Sequence, residues 1–194
     1  MKDITPAPLR TEPVFWAEMA PCDHVVQIYD ADDAFLDSLE AFVVAGLRAQ
    51  DAVVLIATPQ HLSKLEARLW THHFDLISES RSRDQFITLD AEDTLSKFMV
   101  HNWPDEQRFK DMIAGVLARA LSRSPRVRAF GEMVALLWSR GLSGATVRLE
   151  HLWHQICQRE NFPLFCAYPK SGFTQNSESS MREICNAHSK SLCC

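Results

Sequence analysis

The sequence predicts an α/β domain in three layers, a mainly parallel central sheet with helices on both faces. Three observations carry this expectation. Short β-rich runs alternate with amphipathic stretches, the pattern of strands joined by crossover helices. One run, "AVVLIAT", is apolar throughout, as a strand buried on both faces requires. The chain has 194 residues, 46% of them hydrophobic and 23% charged, enough for one sizeable core and short for two.

The first twenty residues hold Pro6, Pro8 and Pro13 and little periodicity, so residues 1–20 read as an extended lead-in pinned by Phe15 and Trp16. Residues 21–190 read as the domain and 191–194 as a tail. "HVVQIY" is the first strand, and residues 33–48 form a helix with Phe35, Leu39, Phe42 and Gly46 on one face. After "AVVLIAT", the helix "PQHLSKLEARLW" opens on a proline suited to a first turn. "QFITLDA" is a third strand, followed by a short helix that breaks at "NWPDE". Residues 105–122 give the clearest helix, with one stripe from Phe109 to Leu121 and acidic residues at its start. "VRAFGE" and "PLFCAYP" are the fourth and fifth strands, separated by "MVALLWSRG" and "ATVRLEHLWHQICQRE" as helices. "SGFTQNSESS" reads as a polar loop, and a last helix starts near Ser180 with Glu183 completing a capping box.

No apolar run reaches the ~20 residues that span a bilayer, and no signal-type segment opens the chain, so a cytoplasmic location is expected. The six cysteines then read as thiols, with Cys157, Cys166 and Cys185 in the core and Cys193 and Cys194 exposed. A net charge of −5 argues against a nucleic-acid surface. The local exception, Arg119, Arg123, Arg126 and Arg128, reads as a solvated helix end or as a docking patch for an acidic partner.

Ligands of parallel sheets bind beyond the carboxyl ends of the strands, an edge that here gathers Tyr29, Asp30, Thr58, Asp90, Glu132 and Tyr168. The first strand–turn–helix corner, "YDADDAFL", lacks the glycines and lysine that hold a phosphate. Asp30, Asp32 and Asp33 read there as helix-start charges and caps, or else as ligands of Mg²⁺ or Ca²⁺. Glu132 is either a site carboxylate or a helix-start charge, and Trp138 either walls a pocket or packs in the core. Along "LEHLWHQIC", Leu149, Leu152, Trp153 and Ile156 share one face. Glu150, His154 and Cys157 lie on a flank that is an ordinary surface pair or part of a zinc site. Cys185 with His188, the pair His72–His73 and the lone His24 match no known cluster spacing. The residues alone supply no complete catalytic set.

"HVVQIYD", "FVVAGLRAQDAVVLIATPQH", "LDAEDTLSKFM", "VRAFGEMVALLWSRG", "RLEHLW", "LFCAYP" and "ICNAHS" occur in that order. Together they resemble the MEDS family, named for methanogens, methylotrophs and the sensory domain of the dichloromethane regulator DcmR. The resemblance implies a relative of the RecA/KaiC ATPase fold with a degenerate P-loop, turned into a non-enzymatic sensor of small molecules such as hydrocarbon derivatives. By carry-over of the matching motifs it implies His24, Tyr29, Glu132, Trp138, Glu150, Trp153, Tyr168 and His188 as the ligand-binding set. No catalytic or metal residues are assigned, and the cofactor stays unknown. Because no output domain is read in the chain, signalling is expected to run through a separate protein, a histidine kinase or transcription regulator. Neither direct nucleic-acid nor membrane contact is expected, and homo-oligomers fit the fold by analogy. Two alternatives remain: a residual metal-dependent nucleotide-binding protein or ATPase, and a metal- or haem-linked redox sensor.

Overall fold

The structure, a computed structural model, describes residues 16–173 and 177–193. β1 (His24–Tyr29) leads into α1 (Asp32–Arg48), and β2 (Ala52–Ala57) into α2 (Pro59–His72) and α3 (Phe74–Ser82). β3 (Phe86–Asp90) and α4 (Ala91–Ser96) precede a small hairpin, β4 (Met99–Val100) with β5 (Trp103–Pro104), and then α5 (Glu106–Leu121). β6 (Val127–Gly131), α6 (Met133–Ser139), α7 (Ser143–Glu160), β7 (Leu164–Pro169), α8 (Ser177–Asn186) and β8 (Lys190–Cys193) complete the chain. Six strands form one parallel sheet in the order β3-β2-β6-β7-β1-β8. This is the single α/β domain that the alternating pattern predicts.

Strand alternation divides the core between the two faces of the sheet. β2 is buried along its whole length and sends Val53 and Leu55 to one face, Val54 and Ile56 to the other. Phe35, Leu39 and Phe42 of α1 pack with Phe130 and Phe165 on the first face. Phe109 of α5 and Leu149, Leu152, Trp153 and Ile156 of α7 pack on the second, so the predicted stripe of α7 is the buried one. Trp16 pins the start of the described chain, its ring edge-on to Phe42 at 5.3 Å. The lead-in before it, with Phe15, lies outside the described residues.

Helix ends follow local chemistry. Thr58 caps α2 before Pro59, Asp90 caps α4 through the N–H groups of Glu92 and Asp93, and Asp105 caps α5. Gly46 is required by packing: a Cβ there would come within 2.5 Å of the Arg128 side chain. Arg128 is buried against α1, paired with Asp51 at 2.6 Å and facing the Phe42 ring. Three of the basic run's four arginines, Arg119, Arg123 and Arg126, are exposed as a solvated helix end and loop, whereas Arg128 departs from that reading. Arg119 forks onto Asp84, Arg126 pairs with Asp51, and Arg128 is internal.

Several elements differ from expectation. α3 is an added helix that buries only Ile77 and Ser80, so it has no apolar stripe to announce it. β8 lies where the sequence reads a tail, pairing Lys190–Cys193 with residues 25–28 of β1. Pairing with β1, the packing of Leu192 on the core and the Lys190–Asp23 pair make this short edge strand; its sequence carries no alternation. The last helix begins at Ser177, one turn before Ser180, so Ser180 is not its cap. Part of the expected polar loop (174–176), with Cys194, lies outside the described residues, as does the side chain of Cys193. Cys157 and Cys166 are buried, whereas Cys185 is half-buried. Among the described residues no helix is long and apolar enough to cross a membrane.

Candidate functional site

Two polar clusters stand out, one at the carboxyl ends of the strands and one beneath α7. At the strand ends, Glu132 opens α6 without capping it by a side-chain hydrogen bond. Its carboxylate instead accepts from the Thr58 N–H at 2.8 Å, the Thr58 hydroxyl at 3.3 Å and His61 Nδ1 at 2.8 Å. Burial pulls His61 down, but the hydrogen bond and charge of Glu132, with Asp32 behind, leave it above its ordinary value. Burial, then the charges of Glu132 and Asp32, push the nearby Tyr29 hydroxyl up.

The acidic corner serves the packing of two helices. Asp32 accepts from Lys64 at 2.9 Å, Asp33 and Asp37 from Arg68 at 2.8 and 2.5 Å, and Asp30 from Lys170 at 3.1 Å. Asp30, Asp32 and Asp33 face Lys170, Lys64 and Arg68 and do not converge, so among the described residues they make no metal site. Nor do they cap α1, whose N-cap is Ala31 with no side-chain hydrogen bond; they supply charge to its first turn. Asp90 is engaged in capping α4, and Tyr168 belongs to the other cluster. The strand-end set thus keeps Tyr29, Thr58 and Glu132 of those expected and adds His61, Asp32 and Lys64.

The second cluster is assembled from distant positions. Cys166 and Tyr168 alternate along β7 and so point to the same face as His24, which opens the neighbouring β1. Glu150 descends from α7, where Tyr168 donates its hydroxyl to Oε1 in a short hydrogen bond. Ser189 clamps the backbone of His24, accepting from its N–H at 2.8 Å and donating to its C=O at 3.0 Å. That clamp lays His188 against His24, with ring centroids 4.0 Å apart. His24 Nε2 and His188 Nε2 each lie 3.5 Å from Glu150 Oε2, and His24 Nε2 lies 3.4 Å from Cys166 Sγ.

His24, Glu150, Cys166, Tyr168 and His188 are all under a tenth exposed. Burial, then the neighbouring His188, lowers His24 to about 3, so it is neutral. Burial opposes the Glu150 charge, but His188, His24 and the Tyr168 hydroxyl hold it below the usual carboxylate range. His188 is raised despite burial because Glu150 faces it. Burial and then Glu150 push the Cys166 thiol and the Tyr168 hydroxyl well up. Among the described residues, His24 Nδ1 and His188 Nε2 have no hydrogen-bond partner, an uncommon state for buried polar atoms.

Glu150 also borders a cavity of about 360 Å³ between α6, α7 and α8. Trp138, Val147, Ile184 and Ala187 give it apolar walls, and Thr146, His151, His154 and Glu183 add polar edges. Trp138 is held by a hydrogen bond from Nε1 to the Gly172 carbonyl at 2.9 Å, with Tyr168 at 6.5 Å centroid distance.

Of the eight residues expected from sequence, His24, Glu150, Tyr168 and His188 converge, with Trp138 on the cavity beside them. Tyr29 and Glu132 belong to the strand-end cluster. Trp153 packs edge-on to Phe109 at 5.2 Å and against Gly131, deep in the core. The expected flank of Glu150, His154 and Cys157 does not form: Glu150 is buried and His154 exposed, while Cys157 donates to the Phe162 carbonyl at 3.0 Å. The sequence reading missed Cys166 as a cluster member, although its two-residue spacing from Tyr168 places both on one strand face. It also missed His61, whose signal is its place three residues after the helix-capping Thr58.

A family model described as MEDS, MEthanogen/methylotroph, DcmR Sensory domain, matches residues 23–189. No curated protein and no solved structure matches the chain.

Proposed function

Because this chain belongs to the MEDS family of sensory domains, we propose that it senses a small, weakly polar organic molecule held in the cavity between α6, α7 and α8. One observation carries this reading: the cavity is mostly apolar, of ligand size, and bordered by a buried carboxylate whose neighbours include unpartnered atoms. Trp138, Val147 and Ile184 supply contact area for a hydrocarbon derivative, while His151 and His154 at the cavity's edge orient its polar end. The role is binding rather than catalysis. Occupancy shifts the position of α8 against α7, and a signalling partner, a histidine kinase or transcription regulator, reads that shift. The nucleotide reading has weaker support, since the corner carboxylates are paired with Lys64, Arg68 and Lys170.

Native mass spectrometry of the purified protein tests this. A retained organic mass that disappears in Ala187→Trp, which fills the cavity from an exposed position, is the expected result. A retained mass unaffected by that substitution contradicts the site. Should the bare chain be found, titration with short alcohols must quench or shift Trp138 fluorescence; no response contradicts the reading.

A further inference from the structure

We propose that His24 Nε2, His188 Nε2, Cys166 Sγ and Glu150 Oε2 form a four-coordinate site for a zinc-class divalent cation. The sequence reading assigned no metal residues, because these four come from β1, the turn after α8, β7 and α7. In the fold their ligand atoms all lie within 4.8 Å of one another. A tetrahedral centre with metal–nitrogen and metal–oxygen bonds near 2.0–2.2 Å and a metal–sulfur bond near 2.3 Å has ligand–ligand edges of roughly 3.3–3.6 Å. The observed edges are 3.4 Å from His24 to Cys166 and 3.5 Å from each histidine to Glu150, with 3.9 Å from Cys166 to Glu150. Closing the longest separation needs about 1 Å of side-chain movement.

The surroundings orient these ligands. His188 Nδ1 donates to the Ile184 carbonyl at 2.7 Å, which leaves the Nε2 lone pair facing the cluster. Tyr168 occupies Oε1 of Glu150 and leaves Oε2 to the centre. A neutral pair of imidazoles with one carboxylate and one thiolate balances a doubly charged cation, so the buried site ends uncharged. Uptake replaces the Cys166 S–H bond with a sulfur–metal bond, and the proton leaves to solvent. Mixed nitrogen, sulfur and oxygen donors suit zinc; Mg²⁺ and Ca²⁺ favour all-oxygen shells. The cavity that reaches Glu150 offers a route in. With four protein ligands and no open position, the ion staples the end of α8 to α7 and β1, which fixes one wall of that cavity. The inference stands apart from the organic ligand and has its own readout.

The test is cobalt substitution of the whole protein after chelator treatment. The expected result is one Co²⁺ per chain with tetrahedral visible bands and a near-ultraviolet thiolate-to-cobalt band, displaced by Zn²⁺. Cys166→Ser removes the thiolate band and weakens binding by roughly 100-fold or more, since outer-shell changes alone reach 10–100-fold. Cys157→Ser, whose hydroxyl can still donate to the Phe162 carbonyl, leaves both unchanged. If Cys166→Ser does not fold, His188→Gln carries the same test, with weaker binding and shifted visible bands. Failure of the wild-type protein to bind one equivalent, or a thiolate band that survives Cys166→Ser, overturns the proposal.

Discussion

At the strand ends Glu132 is surrounded by donors, with two bonds from Thr58 and one from His61, and Asp32 and Lys64 close the ring. Beneath α7, Glu150 is equally buried, yet only Tyr168 gives it a short bond; His188 Nε2 stands off at 3.5 Å, and among the described residues neither it nor His24 Nδ1 makes a hydrogen bond. The first cluster is complete as it stands and fixes how α1, α2 and α6 meet the sheet. The second holds unmet coordination capacity beside a cavity. Sites for binding differ from structural polar clusters in this respect: what remains unsatisfied in the fold is available to something else.

The comparison can be broken by substitution. Glu150→Ala, which strips a buried carboxylate from its partners, is expected to cost about 3–5 kcal/mol in urea unfolding. Glu132→Ala loses charge-assisted hydrogen bonds at the sheet edge and is expected to cost about 1.5–3 kcal/mol by the same assay. A larger loss at Glu132 would reverse the ranking and place the more critical cluster at the strand ends.

A pH series sharpens it. His61 is raised in the fold, so its contribution, with Glu132, Asp32 and Lys64 facing it, is fully present below its unfolded value of 6.5. It is lost as pH rises through the folded value. The stability gap between wild type and His61→Gln should therefore narrow on the alkaline side; a gap that widens contradicts the pair. Smallest of all, Asp30→Asn breaks an exposed pair with Lys170 and should change stability by no more than about 0.5 kcal/mol.

What the sequence makes legible follows from how local each signal is. "AVVLIAT" reads as a buried strand because every residue in it is apolar, and the stripe of α7 reads correctly because its period lies within one helix. α3 and β8 lack such a signal and exist through tertiary contacts. The site shows the same divide. Glu132 attracts notice from its place after a strand, although its partner His61 does not. His24 and Cys166 are 142 residues apart and meet only because β1 lies between β7 and β8. Resemblance to the family supplied His24, Glu150, Tyr168 and His188, yet it gave no hint of the geometry that joins them to Cys166.

The most direct test of where this domain senses is an amide chemical-shift titration with butan-1-ol. The account predicts shifts concentrated at Trp138, Val147, His151, Ile184 and Ala187, and their loss in Ala187→Trp. Shifts centred on Tyr29, Thr58, His61 and Glu132 would contradict it and return the site to the carboxyl ends of the strands.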